Sequence, residues 1–186
     1  MQHTIPTDEE RALERLRAGD AAELERLFRA HYGPLCGFLE RYVGSAQAEE
    51  IAQETFLRVW SRREMLVVDT SLRAYLFASA RNRALNQLDR ERVAERWAAA
   101  EETQRRDERV EPDAERSLEA AEVSDRVREV VQALPARLRE TVELRWGSQW
   151  SHAEIAEAMG ISIKGVEANL ARAKATLRAA LHDLIE

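Results

Sequence analysis

Ser162, Lys164, Glu167, Ala168, Asn169, Arg172 and Lys174 lie close together in one stretch of the chain, where Lys164 and Ala168, four apart, share a helix face. Hydroxyl, amide and cationic groups in that arrangement suit hydrogen bonding and charge pairing with phosphates and base edges. A second constellation joins Asn82 and Asn86, four residues apart on one helical face, to Arg73, Arg83 and Arg90, with Tyr75 as a stacking surface. Amides there can bond base edges while arginines hold phosphate. A third sets Glu50, Gln53 and Glu54 beside Phe56 and Trp60. Such a face can make charge-assisted hydrogen bonds to a basic partner, with the aromatics as anchors or as internal packing. Acid–base catalysis has weaker candidates. His31 sits on a core-like helix, His152 falls in the first turn of a capped helix, and no Gly-rich phosphate loop or metal-ligand spacing accompanies them. The expectation is a protein that is not an enzyme and needs no metal or cofactor.

The elements that must position these groups are helices. In SHAEIAEAMGISIKGVEANLARAK, from Ser151 to Lys174, Ser151 and Glu154 form a capping box that starts one helix. Gly160 supplies the left-handed backbone of a sharp stop, and Ser162 caps the next helix. Ile155, Ala156, Met159, Ile161 and Val166 fill the angle between the two. This is a helix-turn-helix pattern. The ordinary alternative is a helical hairpin with a solvated basic face, but the small residue, the glycine and both caps at these offsets favour the DNA-binding reading.

A length of 186 residues, 45% of them hydrophobic, is enough for one large or two small folded domains. No apolar run approaches the roughly 20 residues that cross a bilayer. The amino terminus MQHTIPTDEE lacks signal-peptide regions, so a cytoplasmic protein is expected. Cys36 is the only cysteine, which excludes an internal disulfide and makes it a core residue by expectation. The net charge of −6 argues against a nucleic-acid partner until it is divided along the chain. Residues 1–57 carry −5, residues 58–92 carry +4, residues 93–125 carry −6 and residues 126–186 carry +1. The two segments holding the amide and cationic constellations are thus the ones open to DNA.

The periodicity predicts an all-α chain of two small helical domains joined by a flexible acidic linker. A helix starting at Asp20 carries Leu24, Leu27, Phe28, Leu35, Phe38, Leu39 and Tyr42, with Gly33-Pro34 as a kink or interruption. Gly44-Ser45 ends it and caps a helix with Ile51, Ala52, Thr55, Phe56, Val59 and Trp60 inward. The stretch RREMLVVDTS interrupts, and another helix begins near Ser71. Residues 93–118 mix alanines with dense charge and contain Pro112, which reads as a linker, partly helical and partly mobile. Apolar positions resume at Val123, and Pro135 starts a helix carrying Leu138, Val142, Leu144 and Trp146. The tail is therefore a four-helix unit. The predicted domains are 1–92 and 119–186, with the linker at 93–118.

On these residues the chain resembles the extracytoplasmic-function group of bacterial RNA polymerase sigma factors. AEEIAQETFLRVW, Ala48 to Trp60, is similar to the segment that docks on the coiled coil of the polymerase largest-subunit clamp. The resemblance assigns core binding to Glu50, Gln53, Glu54, Phe56 and Trp60. SLRAYLFASARNRALNQLDRER, Ser71 to Arg92, resembles the segment that melts and reads the promoter minus-ten element. ALPARLRETVELRWGSQWSHAEIAEAMGISIKGVEANLARAKATL resembles the minus-thirty-five reader. Three such motifs in this order are specific, and they imply a dissociable subunit that directs core polymerase to promoters. They also imply contact with the polymerase flap region and an anti-sigma partner, which would hold the protein at the membrane where that partner is anchored there. Glu167 and Asn169 depart from the basic residues common at those positions, and Lys164-Gly165 from a small pair. Either the minus-thirty-five sequence is unusual or Glu167 points away from the groove. The alternative to a sigma factor is a helix-turn-helix repressor or activator that acts without polymerase, its front part serving as a dimerisation or sensing domain.

Overall fold

The computed structural model describes residues 8–99 and 120–181. Among them all regular structure is helical: α1 (Asp8–Arg17), α2 (Ala21–Leu39), α3 (Ser45–Ser61), α4 (Leu72–Ala99), α5 (Ala120–Gln132), α6 (Ala136–Val142), α7 (His152–Met159) and α8 (Ile163–Ala180). The described residues fall into two compact units, the first holding residues 8–99 with 157–160 and the second residues 120–156 and 161–181.

In the first unit α3 packs on both α2 and α4. Ile51, Ala52, Thr55, Phe56 and Val59 are buried along α3, against Leu27, Leu35, Phe38 and Leu39 of α2 and Leu72, Leu76, Phe77 and Ala80 of α4. Phe38 and Phe77 meet edge to face at 5.1 Å between ring centroids, which fixes Phe77 in the core and leaves Tyr75 as the outward aromatic. Asp20 caps α2, its carboxylate accepting from the Ala22 N–H at 2.9 Å. The helix runs unbroken through Pro34, which is exposed, so the carbonyl that loses its partner faces water. Ser45 is the first residue of α3 and Gly44 its cap, with no side-chain hydrogen bond, where the sequence predicts Ser45 as the cap. Ser71 caps α4 by accepting from the Ala74 N–H at 3.1 Å.

The helix α1 goes unnoticed in the sequence reading, although acids in its first turn and arginines in its last are ordinary signals. It braces the segment between α3 and α4. Leu16 is fully buried, Arg17 donates to the Leu66 carbonyl at 2.5 Å, and the Glu9 carboxylate accepts from the Leu72 N–H. The helix α4 continues through Ala99, taking the first part of the predicted linker, whose next residues lie outside the described ones.

The second unit is the four-helix arrangement the apolar pattern predicts. Leu134, Val142 and Ala173 form a core with Val131 and Leu138 packed against it. One expectation fails here: Trp146 is 52% exposed, and Trp150 is buried in its place. After Val142 the chain widens into a π turn, Glu143–Gly147, which breaks the register of the preceding helix. Gln149 then takes φ +55°, and the Trp150 N–H donates to the Leu144 carbonyl at 3.1 Å, folding the second tryptophan inward.

Glu23 is a buried carboxylate on α2. Burial alone raises its pKa, but hydrogen bonds from Arg26 and from Arg15, the latter at 2.6 Å, outweigh that and hold it below the usual carboxylate range. A carboxylate lowered on folding contributes stability above its unfolded pKa and loses it as pH falls through the folded value. Glu23→Gln therefore lowers the melting temperature near pH 7 by roughly 4–8 °C. The gap to wild type closes on acidification to the point where Glu23 is itself protonated, and thermal unfolding across a pH series checks this.

Candidate functional site

Three surfaces gather the predicted residues. The first lies on α3. Glu50, Gln53 and Glu54 are exposed, the last two each about one helical turn after the first. The Gln53 amide donates to the Tyr32 hydroxyl at 3.3 Å. Tyr32 stacks on Phe28 at 4.6 Å, and Phe28 meets Phe56 at 5.0 Å edge to face. Phe56 is only 4% exposed, so of its two predicted roles it fills the internal one. Trp60 is half-buried under the Arg63 guanidinium, 4.7 Å above its ring. Beside this face runs an apolar groove of about 420 Å³, with Leu24, Phe28, Phe56, Leu57 and Trp60 in its lining. Leu57, 68% exposed, and Phe28 were missed as surface residues. For Leu57 the signal was available, because an apolar residue directly after Phe56 falls outside the buried stripe.

The second surface is a polar pocket of about 290 Å³ between α3 and α4. Tyr75, Ser79, Asn82, Arg83 and Asn86 line it from α4, and Thr55, Arg58 and Val59 from α3 with Arg62 at its C-cap. Each set follows one helical stripe, so the pocket is the seam where two stripes face each other. On α4, Tyr75, Asn82, Arg83 and Asn86 are legible in the sequence and Ser79 is not; Arg58 and Arg62 stand out there only as part of the basic segment 58–92, with no role assigned. Arg73 and Arg90 do not line the pocket; Arg73 is half-buried and Arg90 exposed. Arg83 forms an ion pair with Glu54. His31, close to the positive charge of Arg73, is held neutral to lower pH than usual, first by burial and then by that charge. Cys36 is half-buried, and burial pushes its thiol pKa up.

The third surface is the α7–α8 pair. The Ser151 hydroxyl accepts from the Glu154 N–H at 3.2 Å while the Glu154 carboxylate accepts from the Ser151 N–H at 2.9 Å, completing the capping box. Gly160 takes φ +60°. Its N–H bonds to the Glu157 carbonyl at 3.1 Å and that of Ile161 to the Ala156 carbonyl at 3.0 Å, the pattern of a glycine-stopped helix. Ser162 accepts from the Gly165 N–H at 3.1 Å to start α8. Ile155, Met159 and Val166 are buried in the angle. Ser162, Lys164, Glu167, Ala168, Arg172 and Lys174 are all exposed on α8. Asn169 differs. It is half-buried and its amide donates to the Thr141 hydroxyl at 3.2 Å, tying α8 to α6. Glu167 lies 4.0 Å from His152 Nδ1, leaning toward the start of α7.

Two substitutions separate the local geometry of this pair from its packing. Gly160→Ala forces a side chain into left-handed backbone and costs roughly 1–2 kcal/mol, and Ser162→Ala removes a cap at about 1 kcal/mol. Chemical denaturation of the full chain should show both losses in the transition that reports the second unit.

Comparison with known proteins agrees with the order of these surfaces. A family model described as Sigma-70 region 2 matches residues 27–93, and one described as Sigma-70, region 4 matches residues 124–177. The RNA polymerase sigma factor CarQ of Myxococcus xanthus is 31% identical over 173 residues, covering 92% of this chain and 97% of that protein. The ECF RNA polymerase sigma factor SigL of Mycobacterium tuberculosis is 28% identical over 170 residues, 90% of this chain and 93% of SigL. Among solved structures, the sigma factor RpoE in complex with the anti-sigma factor NepR from Bartonella quintana aligns with a TM-score of 0.57 at 22% identity. That alignment covers 85% of this chain and 96% of RpoE, a likeness of fold.

Proposed function

Because this chain belongs to the sigma-70 family of RNA polymerase sigma factors, in its extracytoplasmic-function group, we propose that its three surfaces divide the work of promoter-specific initiation. A sigma factor binds core RNA polymerase and directs where it starts; nucleotide transfer belongs to the polymerase. The exposed α3 face, Glu50, Gln53 and Glu54, is assigned to the coiled coil of the largest-subunit clamp. The apolar groove beside it, edged by Phe28, Leu57 and Trp60, receives apolar side chains of the same partner. Phe56 supports that groove from beneath. The polar pocket between α3 and α4 is assigned to the minus-ten element, where Tyr75 stacks on an extruded base, Asn82 and Asn86 bond its edge, and Arg58 and Arg62 hold the flanking phosphates. Opening a duplex costs a few kcal/mol per unstacked step, and capture of each base as it emerges offsets that cost without a nucleotide motor.

The minus-thirty-five reader is α8. Lys164 and Ala168 share its outward face, Arg172 and Lys174 hold phosphate, and Glu167 selects against a phosphate at its position. Asn169 is assigned to the α6–α8 tie and not to DNA, since its amide already donates to Thr141 and giving up that partly buried hydrogen bond carries a cost. Contact with the flap region by the second unit, an anti-sigma partner and a cytoplasmic location follow from the same reading. No helix among the described residues is long and apolar enough to cross a membrane. A repressor acting without polymerase leaves the acidic α3 face and its groove unused.

The observation that carries this reading is the polar pocket, where two stripes from separate sequence segments bring amides, an aromatic and arginines to one seam. Transcription by core polymerase on a promoter library tests it. Added protein should select a distinct set of start sites. Arg172→Ala and Lys174→Ala should weaken promoter binding about equally across sequences, each lost phosphate contact lowering the salt slope by about 0.9. Failure to bind core polymerase or to change start-site choice would refute the proposal.

A further inference from the structure

We infer that Glu54 serves both working faces of the first unit: in the free protein its carboxylate holds Arg83, and when core polymerase takes that carboxylate, Arg83 is released to a DNA phosphate in the polar pocket. The inference rests on the assignment of the two faces made above. Along α3, Glu54 lies one turn after Glu50 and one turn before Arg58, at the border between the polymerase face and the pocket lining. Its carboxylate pairs across the helix seam with the Arg83 guanidinium. The two partners differ in access. The Glu54 side chain is 47% exposed and open to a partner, whereas Arg83 is 29% exposed.

Arg83 is only partly used by this pair. A guanidinium presents five N–H donors in a rigid fork and accepts nothing. Among the described residues its Nε is buried and has no hydrogen-bond partner. A buried donor of that kind is costly unless an acceptor arrives, and the residue lines a pocket that also holds Arg58, Arg62, Asn82 and Asn86. The acceptor that suits an arginine fork, beside two further arginines, is a phosphate oxygen. While the carboxylate of Glu54 is attached, however, the pair is neutral and the pocket works with one positive charge fewer.

A cationic group of the polymerase that binds Glu54 competes directly with Arg83 for one carboxylate. Withdrawal of Glu54 restores the guanidinium charge to the pocket. The coupling is reciprocal, so a phosphate that engages Arg83 also frees Glu54 for polymerase. A partly exposed pair limits the effect to about fivefold. That is small beside the total affinity of either partner, yet it acts in the useful direction, holding the free subunit off DNA and favouring strand capture once polymerase is bound.

Two titrations of the full chain test this: one with a fluorescent single-stranded oligonucleotide carrying the non-template strand of a promoter mapped as above, without polymerase, and one with core polymerase, without DNA. Glu54→Gln should bind the single strand about fivefold more tightly than wild type. Arg83→Gln should bind it more weakly, and the double variant should match Arg83→Gln, because the gain passes through the arginine. In the second titration Arg83→Gln, a change in the DNA pocket, should tighten binding to core polymerase by up to about fivefold. Thermal melting verifies that each variant is folded, and the two arms rest on different substitutions, so loss of one variant leaves the other decisive. A folded Glu54→Gln that binds the strand no better than wild type, or a folded Arg83→Gln that binds core no better, overturns the inference. A wild-type chain that fails to bind core at all instead overturns the assignment of the faces.

Discussion

The helical repeat of α3 under burial on one side is the constraint on which the first unit depends. With Ile51, Ala52, Thr55, Phe56 and Val59 committed to the core, every other α3 residue must take one of the remaining directions. The 3.6-residue repeat sends Glu50, Gln53 and Leu57 one way and Arg58 and Arg62 another. Two chemically opposed surfaces, acidic with an apolar groove and basic with amides, therefore lie within one helix diameter of each other. A shift of one residue in the α3 register would rotate both by about 100°. The core residues thus set the directions in which the exposed residues of α3 can stand.

The same economy governs the second unit at smaller scale. Two short helices cannot hold an angle by their own hydrogen bonds, because a helix of eight residues such as α7 is marginal when isolated. The angle is fixed by Gly160 at positive φ, by the caps at Ser151 and Ser162, and by Ile155, Met159 and Val166 between them. The Asn169–Thr141 hydrogen bond adds a polar tie from α8 to α6. Asn169 is thereby spent on packing α8 against α6, while Glu167 stays exposed, 4.0 Å from His152 at the start of α7.

What was legible in the sequence follows from which interactions are local. The caps at Asp20, Ser151 and Ser162, the glycine stop and most of the apolar stripes of α2, α3 and α4 depend on residues a few positions apart, and these are legible. The cap expected at Ser45 instead falls on Gly44, and Phe28 of the α2 stripe is exposed. The fate of Trp146 and Trp150 is not local. A π turn inserted after Val142 changes the register of everything beyond it, and no residue in Glu143–Gly147 advertises that insertion. The polar pocket was half legible for the same reason. Asn82 and Asn86 share a helix and can be paired by spacing, whereas Arg58 and Arg62 join them only through the packing of α3 on α4. The brace from α1, with Arg17 on the Leu66 carbonyl and Glu9 on the Leu72 N–H, spans some fifty residues or more of sequence and leaves no periodic trace.

The charge balance acquires a mechanical meaning once these contacts are known. A formal charge of −6 disfavours contact with DNA at long range, and the Debye length of about 8 Å at physiological salt confines the basic pocket's attraction to its own mouth. The Glu54 carboxylate pairs with one of the arginines that line that pocket, Arg83. On α8 the exposed cations Lys164, Arg172 and Lys174 share the helix with the exposed acid Glu167. Among the described residues these two cationic surfaces are each interrupted by an acid, unlike the continuous positive surface on which tight, sequence-independent DNA binding depends. Two sites of mixed charge joined in one chain gain affinity when both engage a single assembly, because the second contact then forms at a high effective concentration instead of from dilute solution.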